Sequence, residues 1–469
     1  MPRPNPDILD FYPRQRYTCQ RCGLCCRRFE VKITAKEAND LKNTRFPDGC
    51  CPPDDWFVPS PTQKGICIIA KDETGGCVLM DETGSCRLHK AYGLAVKPLI
   101  CRVFPLHVIN WKDGRSSAEL RFVCPAVGDP QGALLGDQPE IMANLASPLR
   151  EWLPESDVAY SIENPLPLPL VRQIHAGYKA ILQKESLPLK TRLYAVARIL
   201  DFHTSLEGRT AIAAIDAGFA AAAGQFVDQT AKAMAVELAR GKSTRRDQIG
   251  FRLLISGYLR DDDPDIAISQ ARRLKLLFSH SLFAAGGGNL QWINPHAPDV
   301  KGRHCLLLAR QLPADEEALD VLRQFFYGKL ESLHFCGNTV HGFTYDLGMK
   351  HLLMSVPVIF VLAAAQAQAA NKSAIGTAEM LQAIRFVDLT FAKSPFFKLR
   401  RIRDLLVRLA RPAVFAGILS LVFGNTPATA PTIETKQPAP PDPTKAPQPF
   451  SPPAGKSKYN RRTKIVFRP

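Results

Sequence analysis

Long apolar runs are scarce in this sequence. The two that stand out, residues 352–365 (interrupted by Pro357) and 413–423, fall short of the roughly 20 residues that a bilayer-spanning helix needs, so both read as buried helices. The second has an alternative seat on a membrane surface, because Arg400, Arg401, Arg403, Arg408 and Arg411 give it a cationic flank. The opening residues MPRPNPDILDFYPRQRYT lack the apolar core of a secretory signal, which points to a cytoplasmic, reducing location. Nor does any nucleic-acid motif with interleaved aromatics accompany the formal net charge of +16, part of which sits in residues 456–468. Cysteine is nearly absent from the C-terminal three quarters, where only Cys305 and Cys336 occur; these read as small buried hydrophobes.

What is present is therefore uneven. Eleven of the thirteen cysteines lie between Cys19 and Cys124. In a reducing compartment thiols persist as ligands or nucleophiles, so clustering of this kind points to metal. A hydrophobic content of 46% is ordinary for a protein that buries a real core, and the length allows more than one domain.

The pattern along the chain predicts an α+β protein in four parts. These are an N-terminal extension (1–16), a loop-rich cysteine module with short strands (17–125), a mostly α-helical domain (126–425) and a disordered, proline-rich basic tail (426–469). In the module, Phe29, Val31 and Ile33 alternate like a half-buried strand, and Thr34 with Glu37 forms a capping-box signature. Residues 66–69 and 78–80 flank a turn at Asp72–Gly76, and Asp113-Gly114 precedes a second apolar stretch at 120–123. Further on, Leu319, Leu322, Phe326, Leu330 and Leu333 recur at helical spacing, and Asp263-Pro264 reads as a helix start. No internal repeat stands out.

The chemistry concentrates in Cys19-Gln20-Arg21-Cys22-Gly23-Leu24-Cys25-Cys26. Two-residue spacing lets successive sulfurs turn back onto one cation, and glycine permits the tight backbone turn that such a knuckle requires. A second group comprises Cys77, Cys86, Cys101 and Cys124. Eight thiols in two sets of four can form one tetrahedral site each, or one shared site with other uses for the remainder. Four thiolates suit tetrahedral zinc and an iron–sulfur cluster alike, so the metal stays open. His89 and His107 are candidate extra ligands; Cys50, Cys51 and Cys67 read as thiols outside the site.

These residues resemble the YkgJ-like, or CxxCxxCC, cysteine-cluster family, described as zinc- or iron-chelating. The resemblance rests on the array Cys19–Cys26, on Cys77-Val78-Leu79, on Cys86-Arg87-Leu88-His89, and on Lys97-Pro98 leading into Cys101-Arg102-Val103-Phe104-Pro105. A looser likeness to flagellin lysine N-methylase rests on that last motif followed by Val123-Cys124-Pro125, with a helical region of similar length behind it. This second resemblance implies an iron–sulfur cluster on the cysteines, S-adenosylmethionine as methyl donor, and a protein substrate with flagellin-like lysines. The array is not the CxxxCxxC of radical S-adenosylmethionine enzymes, and Gly286-Gly287-Gly288 is no dinucleotide fingerprint. Tyr327, Tyr345 and Asp346 fall in a suggestive region, but core packing explains each as well, and no catalytic residue is assigned.

Overall fold

Short strands carry the N-terminal part: β1 (Leu9–Asp10), β2 (Lys32–Thr34), β3 (Phe57–Pro59), β4 (Ile66–Ile69), β5 (Leu106–Trp111), β6 (Ser116–Leu120) and β7 (Glu155–Ser156). They are seen in a computed structural model that describes residues 9–424 except 48, 62, 139–154, 214, 216–217 and 261–269. The proline-rich tail, the first eight residues and the Asp263-Pro264 helix start lie outside the described residues. The remainder is a mixed α+β protein with its strands early and its helices late.

Two small sheets result. One runs in the order β1-β6-β5-β7, the other β2-β4-β3. The β5–β6 hairpin closes at Asp113-Gly114, where Gly114 has φ +83° and the Trp111 amide donates to Arg115 O at 2.9 Å. Because this turn is tight, the second strand starts at Ser116, and the 120–123 stretch mostly follows it rather than forming it. The register sets His107 opposite Glu119 and Val108 opposite Ala118. In the other sheet, β2 begins later than the Phe29 alternation suggests, because helix α1 (Leu24–Arg28) ends in Phe29 as its cap.

The capping box is formed. The Glu37 amide donates to Thr34 Oγ1 at 2.9 Å and the Thr34 amide to Glu37 Oε2 at 3.0 Å, starting helix α2 (Ala35–Lys42). The second oxygen of the same carboxylate accepts the Leu99 amide at 2.8 Å, at the start of helix α4 (Leu99–Val103), which carries Cys101. Between them lies helix α3 (Arg87–Tyr92).

From Leu168 to Phe423 the described chain is almost entirely helical. At its centre the helix Tyr345–Ala369 is buried on nearly all sides and continues through Pro357, which makes it longer than the interrupted 352–365 run suggested. By length and composition it could cross a bilayer, yet 83% of its most apolar window is buried inside the fold. Helix Pro412–Phe423 buries Phe415, Ile418, Leu419 and Val422. The glycine run 286–288 ends the helix Gln270–Ala285, with the Gly287 and Gly288 amides both donating to Leu282 O at 3.0 Å.

Two hydrophobic cores divide the cysteine module. A satellite core gathers Ile33, Leu41, Phe46, Phe57, Ile69, Leu79 and Leu88 with Ala38 and Cys77. The β5–β6 hairpin belongs instead to the main core, where Val108, Trp111, Leu120 and Phe122 pack among residues of the helices. Residues 104–125 are thus part of the helical body by packing, whatever their neighbours in sequence.

Candidate metal centre

The cysteine array folds as a knuckle because of Gly23. Its φ is +67°, and a Cβ there would lie 2.5 Å from Gly84 O and 2.9 Å from Met80 Sδ. Arg21, also left-handed at φ +53°, completes the reversal between Cys19, Cys22 and the start of α1, which holds Cys25 and Cys26. The close approach presses the knuckle onto the turn before Cys86.

That turn is one of a pair. Asp72-Glu73-Thr74-Gly75-Gly76-Cys77 and Asp81-Glu82-Thr83-Gly84-Ser85-Cys86 are a six-residue repeat, contrary to the expectation that the chain has none. In each, one carboxylate oxygen ties the turn together. Asp72 Oδ1 accepts from the amides of Thr74 (2.8 Å) and Gly76 (2.9 Å), Asp81 Oδ1 from those of Thr83 and Ser85 (both 3.0 Å). These bonds, with those from the threonine hydroxyls, hold both carboxyls below the usual range, Asp81 down to about 2. Each turn then delivers a cysteine: Cys77 to a backbone bond with Cys26 O (3.1 Å), and Cys86 to the cap of α3.

All eight candidate ligands reach two adjoining cavities. Cys19, Cys22, Cys25, Cys26, Cys86, Cys101 and Cys124 line one of about 420 Å³. Cys77 lines the other, of about 450 Å³, with Cys25, Cys26, Cys86 and Cys101. The sulfurs of Cys25 and Cys26 are 3.9 Å apart. Their contact, together with nearby Lys97, lowers Cys25 below the usual thiol range, while the same contact and burial push Cys26 up. Burial raises Cys77 to about 11, and Cys101 and Cys124 to about 12.

The mutual charge effects sort the thiols differently from their order in the chain. Cys124 is opposed by Cys25, Cys22 and Cys19, whereas Cys26 is opposed by Cys25, Cys77 and Cys101, and Cys77 and Cys101 by Cys86 and Cys25. Cys25 lies at the junction. So many neighbouring thiols cannot all ionise without a cation among them, and a cation among them removes that obstacle. The donor set is soft, sulfur-rich and large enough for tetrahedral zinc or an iron–sulfur cluster.

The other residues singled out from sequence go elsewhere. Cys50 and Cys51 are exposed, Cys67 lies in β4, and none of the three lines either cavity. Cys305 and Cys336 are buried in the helical body, each thiol directed at a backbone carbonyl (Gly302 O, 3.1 Å; Leu333 O, 3.5 Å). His89 lines the first cavity and His107 the second. Tyr327 donates to Leu182 O at 2.8 Å, Tyr345 meets His175 Nδ1 at 3.0 Å, and Asp346 pairs with Lys350 at 3.1 Å, so all three serve the core. No disulfide joins the described cysteines.

A cluster of converging thiols beside a helical body has the chemistry of a zinc- or iron-chelating module. Residues 18–125 match the model of the CxxCxxCC family, described as "Putative zinc- or iron-chelating domain". No curated protein and no solved structure matches the chain.

Proposed function

We propose that the protein holds two four-thiolate metal centres, one on Cys19, Cys22, Cys25 and Cys124 and the other on Cys26, Cys77, Cys86 and Cys101. The observation that carries this reading is the convergence of eight cysteines on two adjoining cavities, Cys124 lining the first with Cys19, Cys22 and Cys25, and Cys77 lining the second with Cys26, Cys86 and Cys101. Zinc in both sites makes the module a metal-stapled scaffold; iron–sulfur clusters make it a redox or group-transfer module.

Anaerobic purification with metal and acid-labile sulfide analysis separates the two. The partition is tested by variants: Cys124→Ser loses the same metal as Cys22→Ser, and Cys26→Ser the same as Cys77→Ser. Equal loss from all four variants would mean a single shared centre.

The finer reading, methyl transfer from S-adenosylmethionine to a protein lysine in a reducing cytoplasm, rests on the likeness of Cys101–Pro105 and Val123–Pro125 to flagellin lysine N-methylase. It requires an iron–sulfur protein that binds S-adenosylmethionine saturably. Colourless zinc protein without such binding by calorimetry removes it and leaves a chelating module with a helical partner-binding domain.

A further inference from the structure

Beyond the thiolates, the second cavity has a wall of different chemistry. His107 and Glu119 face each other across the β5–β6 hairpin. His334 joins them from more than 200 positions away in the sequence. It follows the helix Glu316–Ser332, which Leu333 terminates at φ +56°, and the His334 amide then donates back to Lys329 O at 3.1 Å. We propose that His107, Glu119 and His334 form a separate nitrogen–oxygen site for one divalent transition-metal ion of the zinc or ferrous class.

The three groups stand close enough together to share one ion. Candidate ligand atoms from all three residues lie within 4.8 Å of one another. Glu119 Oε1 is 3.1 Å from His334 Nδ1 and 3.9 Å from His107 Nδ1. Ligands about 2.0–2.2 Å from a shared zinc ion stand roughly 3–3.5 Å from each other, so the three groups already approximate the edges of a coordination shell. His334 is 2% exposed; its Nδ1 meets the Glu119 carboxylate at 3.1 Å without hydrogen-bond geometry, and its Nε2 has no hydrogen-bond partner. A buried ring nitrogen left in this state is costly unless something accepts its lone pair.

Protonation states agree with this geometry. Burial holds both histidines below their usual range, His334 at about 3, so each ring offers a lone pair. Burial works against charge on Glu119, but the Lys329 ammonium beside it outweighs burial and holds the carboxyl well below its usual range. Two nitrogens and one carboxylate leave open positions in the coordination shell. His107 and Arg121 both line the second cavity, beside Cys26, Cys77 and Cys101, so exogenous ligands reach the site by that route.

The charges already present constrain the ligand. Lys329 is 3.0 Å from Glu119 and 2.9 Å from Asp388, and Arg121 is 3.0 Å from Asp388. Two cations thus balance two carboxylates, and a divalent ion added here calls for an anionic partner, hydroxide or a carboxylate, from the cavity. The site shares no side chain with the thiolate centres, so it stands or fails independently of them.

The test uses the full chain, purified anaerobically with its thiolate centres filled, dialysed and then offered cobalt(II). The wild type takes up one equivalent with weak visible d–d absorption and no new thiolate-to-cobalt charge transfer. Glu119→Gln and His107→Ala, each checked for native circular dichroism, take up none. His107→Ala, at a partly exposed strand position, keeps the test open if the buried Glu119 variant does not fold. No uptake by the wild type, equal uptake by a folded variant, or uptake with a thiolate charge-transfer band overturns the proposal. Failure of the thiolate reading shows separately, as free alkylation of the cysteines in the same preparation.

Discussion

Removing metal from the thiolate centres should unfold the chain between about Cys19 and Gly93 and leave the β5–β6 hairpin and the helices standing. The satellite core there holds seven large apolar side chains, Ile33, Leu41, Phe46, Phe57, Ile69, Leu79 and Leu88. At roughly 1.5–3 kcal/mol each, their burial contributes roughly 10–20 kcal/mol before any entropy is subtracted. A single structural zinc in a small module contributes about 10–16 kcal/mol, as much as that entire core. A loop-rich segment with so few buried side chains cannot lose a term of that size and stay folded. By contrast, Val108, Trp111, Leu120 and Phe122 remain packed in the main core without any metal. Hydrogen exchange with mass spectrometry, with and without a strong chelator, reads this directly. Amides of 24–42 and 66–92 should lose protection on chelation while those of 106–120 and 345–369 keep theirs. Protection lost together in both sets, or retained in the first, would refute the division of the module between two cores.

Other outcomes follow from single contacts. Glu37→Ala removes the capping box and the bond to the Leu99 amide together; it should cost about 1–2 kcal/mol by chelator-free denaturant titration and speed metal loss, since α4 carries Cys101. Gly23→Ala should abolish metal retention in the knuckle, measured by metal content after gel filtration, because it forces φ +67° on a side chain that has no room beside Gly84 O. Lys329→Ala leaves Glu119 and Asp388 buried without their shared cation and should destabilise the helical body by roughly 3–5 kcal/mol, with partial recovery on adding Asp388→Asn. His175 and His203 are buried against tyrosine hydroxyls, and burial lowers them to about 3 and about 4. The unfolded chain binds protons at these rings first. Their contribution is therefore complete above about pH 6.5 and falls as pH drops toward 4, by up to about 1.4 kcal/mol per pH unit for each ring. Amide exchange at 168–204 should show that slope, and His203→Gln should flatten it.

Much of the candidate site was legible because covalent spacing restricts it. Cys19–Cys26 announces a knuckle, Thr34 and Glu37 announce a cap, and Asp113-Gly114 announces a hairpin, since each depends on atoms only a few residues apart. The six-residue repeat that aims Cys77 and Cys86 was equally visible in the sequence, and its signal is the recurrence of Asp-Glu-Thr-Gly before a cysteine. Strand limits were less legible, because Phe29 alternates with Val31 yet ends a helix. Pro357 looked like a break in an apolar run, but the surrounding core holds the helix straight through it.

The sequence by itself determined which residues are chemically fit to hold metal and the local turns that present them. Only the tertiary structure decided that Cys124 lines the same cavity as the knuckle, that the turn carrying Cys77 meets Cys26, and that His334 comes beside His107 and Glu119. The reason is the range of the forces involved. Backbone geometry fixes neighbours over one turn, whereas convergence across hundreds of residues is set by how the two cores pack, and no spacing along the chain encodes it.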